Sequence, residues 1–330
     1  MQRRIGVLFL WFLLSTGGSA IVWSVAEATP AYPSKSVDIV VPFAPGGVTD
    51  LVARSVSDQA RRMWKQPINV INKAGASGTT GTWEVRNARP DGYTMLMQVV
   101  TLVTNPAIQP DLPYKWDDLA FVARVSTSPL VLIVKGNSSY KTMKELVAAI
   151  KKDPGQFKYG TSGRGGSSTF STVQIAEQAG FDPTGPTEVV LGGGAAVVTA
   201  VAGGHVDFAV QYLSEVIDLI KGNRLRGLAI TGEKRFQELP EVPTSSEAGF
   251  AKMNLQPFAG LLGPKKIPRE VIDAWNQALK EILADQNFAA KLQSLGSLPA
   301  YLTPEEFKAA AQRDFELAQR VNKRLGLSSK

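Results

Sequence analysis

Four short loops in this sequence combine glycine with hydroxyl side chains, and each follows a run that reads as a strand. They are Pro42-Phe43-Ala44-Pro45-Gly46-Gly47-Val48-Thr49-Asp50, Gly75-Ala76-Ser77-Gly78-Thr79-Thr80-Gly81, Tyr159-Gly160-Thr161-Ser162-Gly163-Arg164-Gly165-Gly166-Ser167-Ser168, and Leu191-Gly192-Gly193-Gly194-Ala195. Glycine lets backbone approach a ligand closely, and the free N–H groups where a helix starts attract an anion. Serine and threonine add neutral donors. Taken singly, each loop reads as a tight strand-to-helix turn. Together they point to an anion-binding cleft at the carboxyl ends of strands.

Other chemistries are excluded residue by residue. The chain has no cysteine and one histidine, which removes disulfides, thiolate metal sites, Cys nucleophiles and multi-His zinc sites. None of the loops fits G-x-x-x-x-G-K-[ST]; Gly163-Arg164-Gly165 opens a G-x-G-x-x-G run, but Ser168 stands where its last glycine belongs. Gly75-Ala76-Ser77-Gly78-Thr79 misses the final glycine of G-x-S-x-G. Ser138-Ser139-Tyr140-Lys141 matches S-x-x-K but falls in a loop, where Ser and Lys are not one helical turn apart. His205, in Gly203-Gly204-His205-Val206-Asp207, reads as an exposed turn residue. Asp50 has a simple alternative role, favourable charge in the first turn of a helix.

The elements that must position these loops alternate. Residues 37–43 form a short β-branched run, and 49–64 follow with apolar residues on one face. Strands are expected at 68–71, 93–100 and 129–134, then at 159–160, 188–191, 208–210 and 225–231. Thr142-Met143-Lys144-Glu145 has the form of a capping box, and Thr303-Pro304-Glu305-Glu306 starts the last of the C-terminal helices, expected at 268–283 and 303–325. Strands followed by helices at this spacing predict an α/β fold on largely parallel sheets, with two lobes joined by crossing strands.

With 44% hydrophobic residues the chain can bury a core, and a mean hydropathy of −0.03 excludes a polytopic membrane protein. Arg3 and Arg4 precede the apolar run 5–14, and Ala26-Glu27-Ala28 offers a cleavage site, so 1–28 reads as a secretory signal peptide. The net charge of +7 comes from dispersed Lys and Arg, with no run of five basic residues, so no nucleic-acid partner is expected.

From residue 29 to 325 the chain resembles the Bug family, the solute-binding receptors of tripartite tricarboxylate transporters. The resemblance rests on Tyr32-Pro33-x-Lys35, the PFAPGGxxD loop at 42–50, and Asn72-Lys73-x-Gly75-Ala76-x-Gly78 leading to Pro90-Asp91-Gly92-Tyr93-Thr94. It continues through Tyr159-Gly160-x-Ser162-Gly163-x-Gly165, Leu225-Arg226-x-Leu228-Ala229 and Leu239-Pro240-x-Val242-Pro243-Thr244-x-x-Glu247-Ala248-Gly249. The chain departs from the family pattern at Thr169-Phe170, at Val190-Leu191-Gly192-Gly193 and at Phe258; these departures bear on the ligand, not on the fold.

The resemblance implies a periplasmic, non-enzymatic, monomeric receptor with the two-lobed type II periplasmic-binding-protein (Venus flytrap) fold. Lobe 1 would comprise 29–130 and 252–330, and lobe 2 would comprise 131–251. The receptor would close over a small organic mono- or dicarboxylate, use no cofactor or metal, and pass the solute to large and small membrane permease subunits. Phe43, Ala44, Pro45, Gly46 and Gly47 would hold a carboxylate through backbone N–H groups, with Asp50, Ser77 and Thr79 beside them. Thr161, Ser162, Arg164, Gly165, Gly166 and Ser167, with Gln211, would meet the ligand from the other lobe. Arg164 is the one charged residue between Thr161 and Ser168; it is either a partner for a second carboxylate or a solvent-facing side chain. Two other functions stay open at this level: an exported hydrolase or lyase of similar fold, and a receptor feeding a membrane sensor.

Overall fold

The computed structural model describes residues 32–109, 111–162 and 166–326. The expected signal peptide, Arg164 and Gly165 lie outside the described residues. In chain order the first elements are β1 (Val37–Val41), α1 (Val48–Trp64), β2 (Ile68–Asn72), α2 (Thr79–Arg86), β3 (Thr94–Val99), α3 (Thr101–Ile108) and β4 (Leu119–Thr127). After Ser128 and Pro129 come β5 (Leu130–Lys135), α4 (Met143–Lys152), β6 (Lys158–Thr161), α5 (Ser167–Ala179), β7 (Thr187–Val190), α6 (Gly194–Gly203), β8 (Phe208–Tyr212), α7 (Leu213–Lys221) and β9 (Leu225–Ile230). A long connection then leads to β10 (Phe258–Pro264), α8 (Arg269–Ala284), α9 (Gln286–Ser294), β11 (Leu298–Leu302) and α10 (Pro304–Leu325).

These strands make two sheets, in the orders β11-β4-β10-β3-β1-β2 and β7-β6-β8-β5-β9. The chain leaves the first sheet through Ser128-Pro129 and returns to it after Ile230, so two segments cross between them. Largely parallel sheets are not what forms. β1 pairs in parallel with β2 and β3, and β6 with β7 and β8, whereas β5, β10 and β11 run antiparallel to their neighbours. The crossings explain the mixture. β5, β10 and β11 start at the junction of the sheets, while the strands beside them end there.

Amphipathic patterning accounts for the packing. Ile39, Met95, Met97 and Trp275 share one apolar cluster with Val52 and Val56 of α1, on one face of the first sheet. Leu96, Leu102, Phe121 and Phe307 form another. In the second sheet, alternate residues of β5 separate in the same way, with Leu130, Leu132 and Val134 in one cluster and Val131 and Ile133 in the other. Both expected caps are present: Thr142 with Glu145 and Thr303 with Glu306 exchange reciprocal hydrogen bonds. From its cap, α10 runs along both cores. Phe307 and Ala311 pack with the first sheet, and Leu317, Ala318 and Val321 join the cluster of Leu130, Met143 and Phe170.

Candidate functional site

The loops that follow β1, β2, β6 and β7 open at the strand ends nearest the crossings. The register places this end: Val99 of β3 lies opposite Ala259, and Tyr212 of β8 lies opposite Leu130, the first residue of β5. A cavity of about 230 Å³ sits there. Val48, Thr49, Val99, Phe258 and Ala259 line it from the first sheet's side, Tyr212, Ser214 and Glu215 from the second, with Ser297 and with Ser128 and Pro257 of the crossings. A larger cavity of about 570 Å³ beside the same crossings is walled by β4, β11 and residues after β9, and no described residue of the four glycine loops lines it.

Asp50 builds the first loop. Its carboxylate is buried and accepts from the Gly46 N–H at 2.9 Å, Arg54 Nε at 2.9 Å and Asn72 Nδ2 at 2.9 Å. Burial alone would raise its pKa; the hydrogen bonds from Arg54, Gly46 and Asn72 outweigh that and hold it below the ordinary carboxylate value. Asn72 also donates to the Phe43 carbonyl at 3.1 Å, so the end of β2 pins the loop after β1 at two points. Two expectations change here. Asp50 organises the loop from beneath, and the Gly46 N–H, expected to face a carboxylate, is already given to Asp50.

What the loop presents is therefore the start of α1. Gly47 is its N-cap, with no side-chain cap, and Ala44, Pro45, Gly46, Gly47 and Val48 are exposed. The first N–H groups of any helix lack an intrahelical partner. Phe43 is half-buried, its ring close against Gly78, where a Cβ would stand 3.1 Å from Cζ. That contact packs the second loop on the first. Ser77 is exposed in the left-handed region at φ +54°, and its carbonyl accepts from Asn105 at 2.9 Å; Thr79 is buried.

On the second sheet, Thr161 is buried and Ser162 exposed, while Gly166 is the N-cap of α5 and has no side-chain cap. The Ser167 hydroxyl donates to the Val210 carbonyl at 3.0 Å, and Ser168 does so at 2.9 Å while accepting from the Val210 N–H. Ser167 thus ties α5 to β8 rather than offering its hydroxyl to a ligand. Gln211 is buried, and its Nε2 has no hydrogen-bond partner. His205 is exposed after the end of α6, as expected of a turn residue.

The cavity joins Val48 and Thr49, at the end of the expected first loop, to residues sequence reasoning missed. Tyr212 and Glu215 carried no motif. Burial, and then the Glu215 charge, pushes the Tyr212 phenol up to about 12, and burial raises the Glu215 carboxyl. Arg54 was missed too, although its spacing of four residues from Asp50 on one helix is a signal that could have found it. Asn72 carried no such signal, because its role depends on which strands pair. Among the described residues no cluster of His, Asp and Glu has the arrangement to hold a metal ion.

A family model described as the tripartite tricarboxylate transporter family receptor, TctC, matches residues 52–327. The chain belongs to this receptor family. It is 32% identical to an Agrobacterium vitis protein from the TAR-I ttuE–ttuC' intergenic region, over 88% of this chain and 85% of that one. It is 28% identical to BugT of Bordetella pertussis, over 93% and 92% of the two chains. Among solved structures, a TctC solute-binding protein from Polaromonas superposes with a TM-score of 0.80 at 26% identity, covering 89% of this chain and 100% of that one. MatC from Rhodopseudomonas palustris, with bound malate, superposes with a TM-score of 0.67 at 26% identity, covering 88% and 99%. The receptor thus has the periplasmic-binding-protein fold of the Bug family, whose members are periplasmic solute-binding receptors rather than enzymes.

Proposed function

We propose that this receptor captures a small organic carboxylate between its two sheets in the periplasm and delivers it, as a monomer, to the large and small permease subunits of a tripartite tricarboxylate transporter. Residues 1–28 would be the export signal, with lobe 1 formed by 29–130 and 252–330 and lobe 2 by 131–251. The observation that carries this reading is the uncapped start of α1 beside a cavity lined from both sheets. Unpaired N–H groups and the helix dipole favour a carboxylate there. The malate held by MatC supports the same ligand class.

Closure tests the reading. Mature protein should release a bound organic acid on denaturation, detected by mass spectrometry. Adding that acid back should raise the melting temperature and reduce the radius of gyration. Scattering curves that superimpose with and without saturating acid would refute a closing cleft.

Gly47 tests the cradle. Its backbone, at φ −74° and ψ 163°, suits any residue, and a Cβ would meet nothing closer than the Ala44 carbonyl oxygen at 3.7 Å. Gly47→Val should therefore fold normally yet crowd the helix start, lowering carboxylate affinity roughly tenfold or more by calorimetry, the scale of one charge-assisted hydrogen bond. Gly46→Val is the poorer probe. Gly46 sits at φ +86°, where a β-branched residue is strained whatever the space around it.

A further inference from the structure

The wall of the small cavity contains a negative charge where a receptor for acids would be expected to avoid one. Glu215 is the third residue of α7 and lines the same cavity as Val48 and Thr49 at the start of α1. Its carboxylate rests on Gly194, the first residue of α6, so closely that a Cβ at 194 would overlap both carboxylate oxygens. That contact seats the carboxylate at the start of α6, while the residue as a whole is exposed. Among the described residues no Lys, Arg or His comes within 4.0 Å of it to form an ion pair. Tyr212 and Ser214 are its neighbours in the cavity wall, and neither can supply a positive charge.

Closing two lobes over this cavity would remove more water from Glu215. A diacid would then place a second anion near a carboxylate that no described cation neutralises, where like charges repel more strongly as water leaves. An ammonium group would instead form the missing pair with a charge-assisted hydrogen bond. We propose that Glu215 is the specificity-determining residue of the cleft and that the ligand is an amino acid in the broad sense, its carboxylate at the start of α1 and its ammonium group at Glu215. This inference rests on the carboxylate reading above and narrows it to one ligand class.

The test is calorimetry of the mature protein at neutral pH with carbon-matched pairs: 4-aminobutanoate against succinate, 5-aminopentanoate against glutarate, and 6-aminohexanoate against adipate. At one chain length or more, the amino acid should bind roughly ten- to hundredfold tighter than its diacid, the scale of a charge-assisted pair. Glu215→Gln, nearly identical in shape, should erase that ratio while leaving the melting temperature of the unliganded protein within a few degrees. Diacids that bind as tightly as their amino acids at every length overturn the inference and leave the carboxylate reading standing. A Glu215→Gln protein that melts earlier but keeps the wild-type ratio also overturns it, because Glu215 then serves only the start of α6. If no acid of either series binds, the carboxylate reading falls and takes this inference with it.

Discussion

Asp50→Ala should destabilise the receptor by about 2–4 kcal/mol and weaken carboxylate binding at least tenfold, although Asp50 itself is buried beneath the loop. Three donors converge on this buried carboxylate: a backbone N–H, a guanidinium and a side-chain amide. Arg54 is about half exposed, with 47% of its side chain accessible, so its ion pair is partly screened and accounts for the smaller share. The larger share comes from Gly46 and Asn72, which would lose their acceptor inside a packed loop. Without that acceptor the 43–47 segment loses its fixed approach to α1, and the helix start is no longer held ready for an anion.

Urea unfolding at neutral pH checks the first part and calorimetry the second. Acid adds a separate signature. The folded-state pKa of Asp50 is depressed, so its contribution is fully present above its ordinary value near 4 and is lost as pH falls through the lower folded value. Wild type should therefore lose stability below about pH 4 more steeply than Asp50→Ala. Parallel acid profiles for the two proteins would contradict the assignment.

Phe307→Ala should cost about 3–5 kcal/mol, the largest stability loss expected here. The ring is fully buried and meets Phe121 edge-on at 4.9 Å and Phe258 at 5.0 Å. The far end of the ring also presses on β10 at Gly260, where a Cβ would collide with Cζ and Cε1 and crowd Cε2. Truncation would leave a cavity that two aromatic rings and a strand cannot collapse to fill. Because α10 continues into the second core through Leu317, Ala318 and Val321, loosening its first turns should be felt in both sheets. Denaturant unfolding should show a lower midpoint, and Phe307→Leu should recover part of the loss. A midpoint within about 1 kcal/mol of wild type would show that the aromatic cluster can repack.

The glycine loops and most of the elements were legible in the residues, because they depend on local rules. Apolar spacing in 48–64 specifies an amphipathic helix, Thr142 and Thr303 with their glutamates specify helix starts, and glycine after a β-branched run specifies a turn. Local rules also explain what was missed. β4 and β10 are buried along nearly their whole length, so they show no polar alternation to read. β11 contains Pro299, which argues against a strand and is tolerated because β11 lies at the edge of its sheet.

By itself the sequence determined an α/β chain without cysteine, its glycine loops at strand ends, and a motif order specific enough to indicate the receptor family. Strand direction, the pinning of one loop by Asn72 from another strand, and the meeting of α1 with Glu215 across the junction belong to the tertiary structure alone. These meetings join residues far apart in the chain, 22 positions for Asp50 with Asn72 and 167 for Val48 with Glu215. Side-chain type and short-range spacing carry no information about such meetings until the two crossings bring the sheets together.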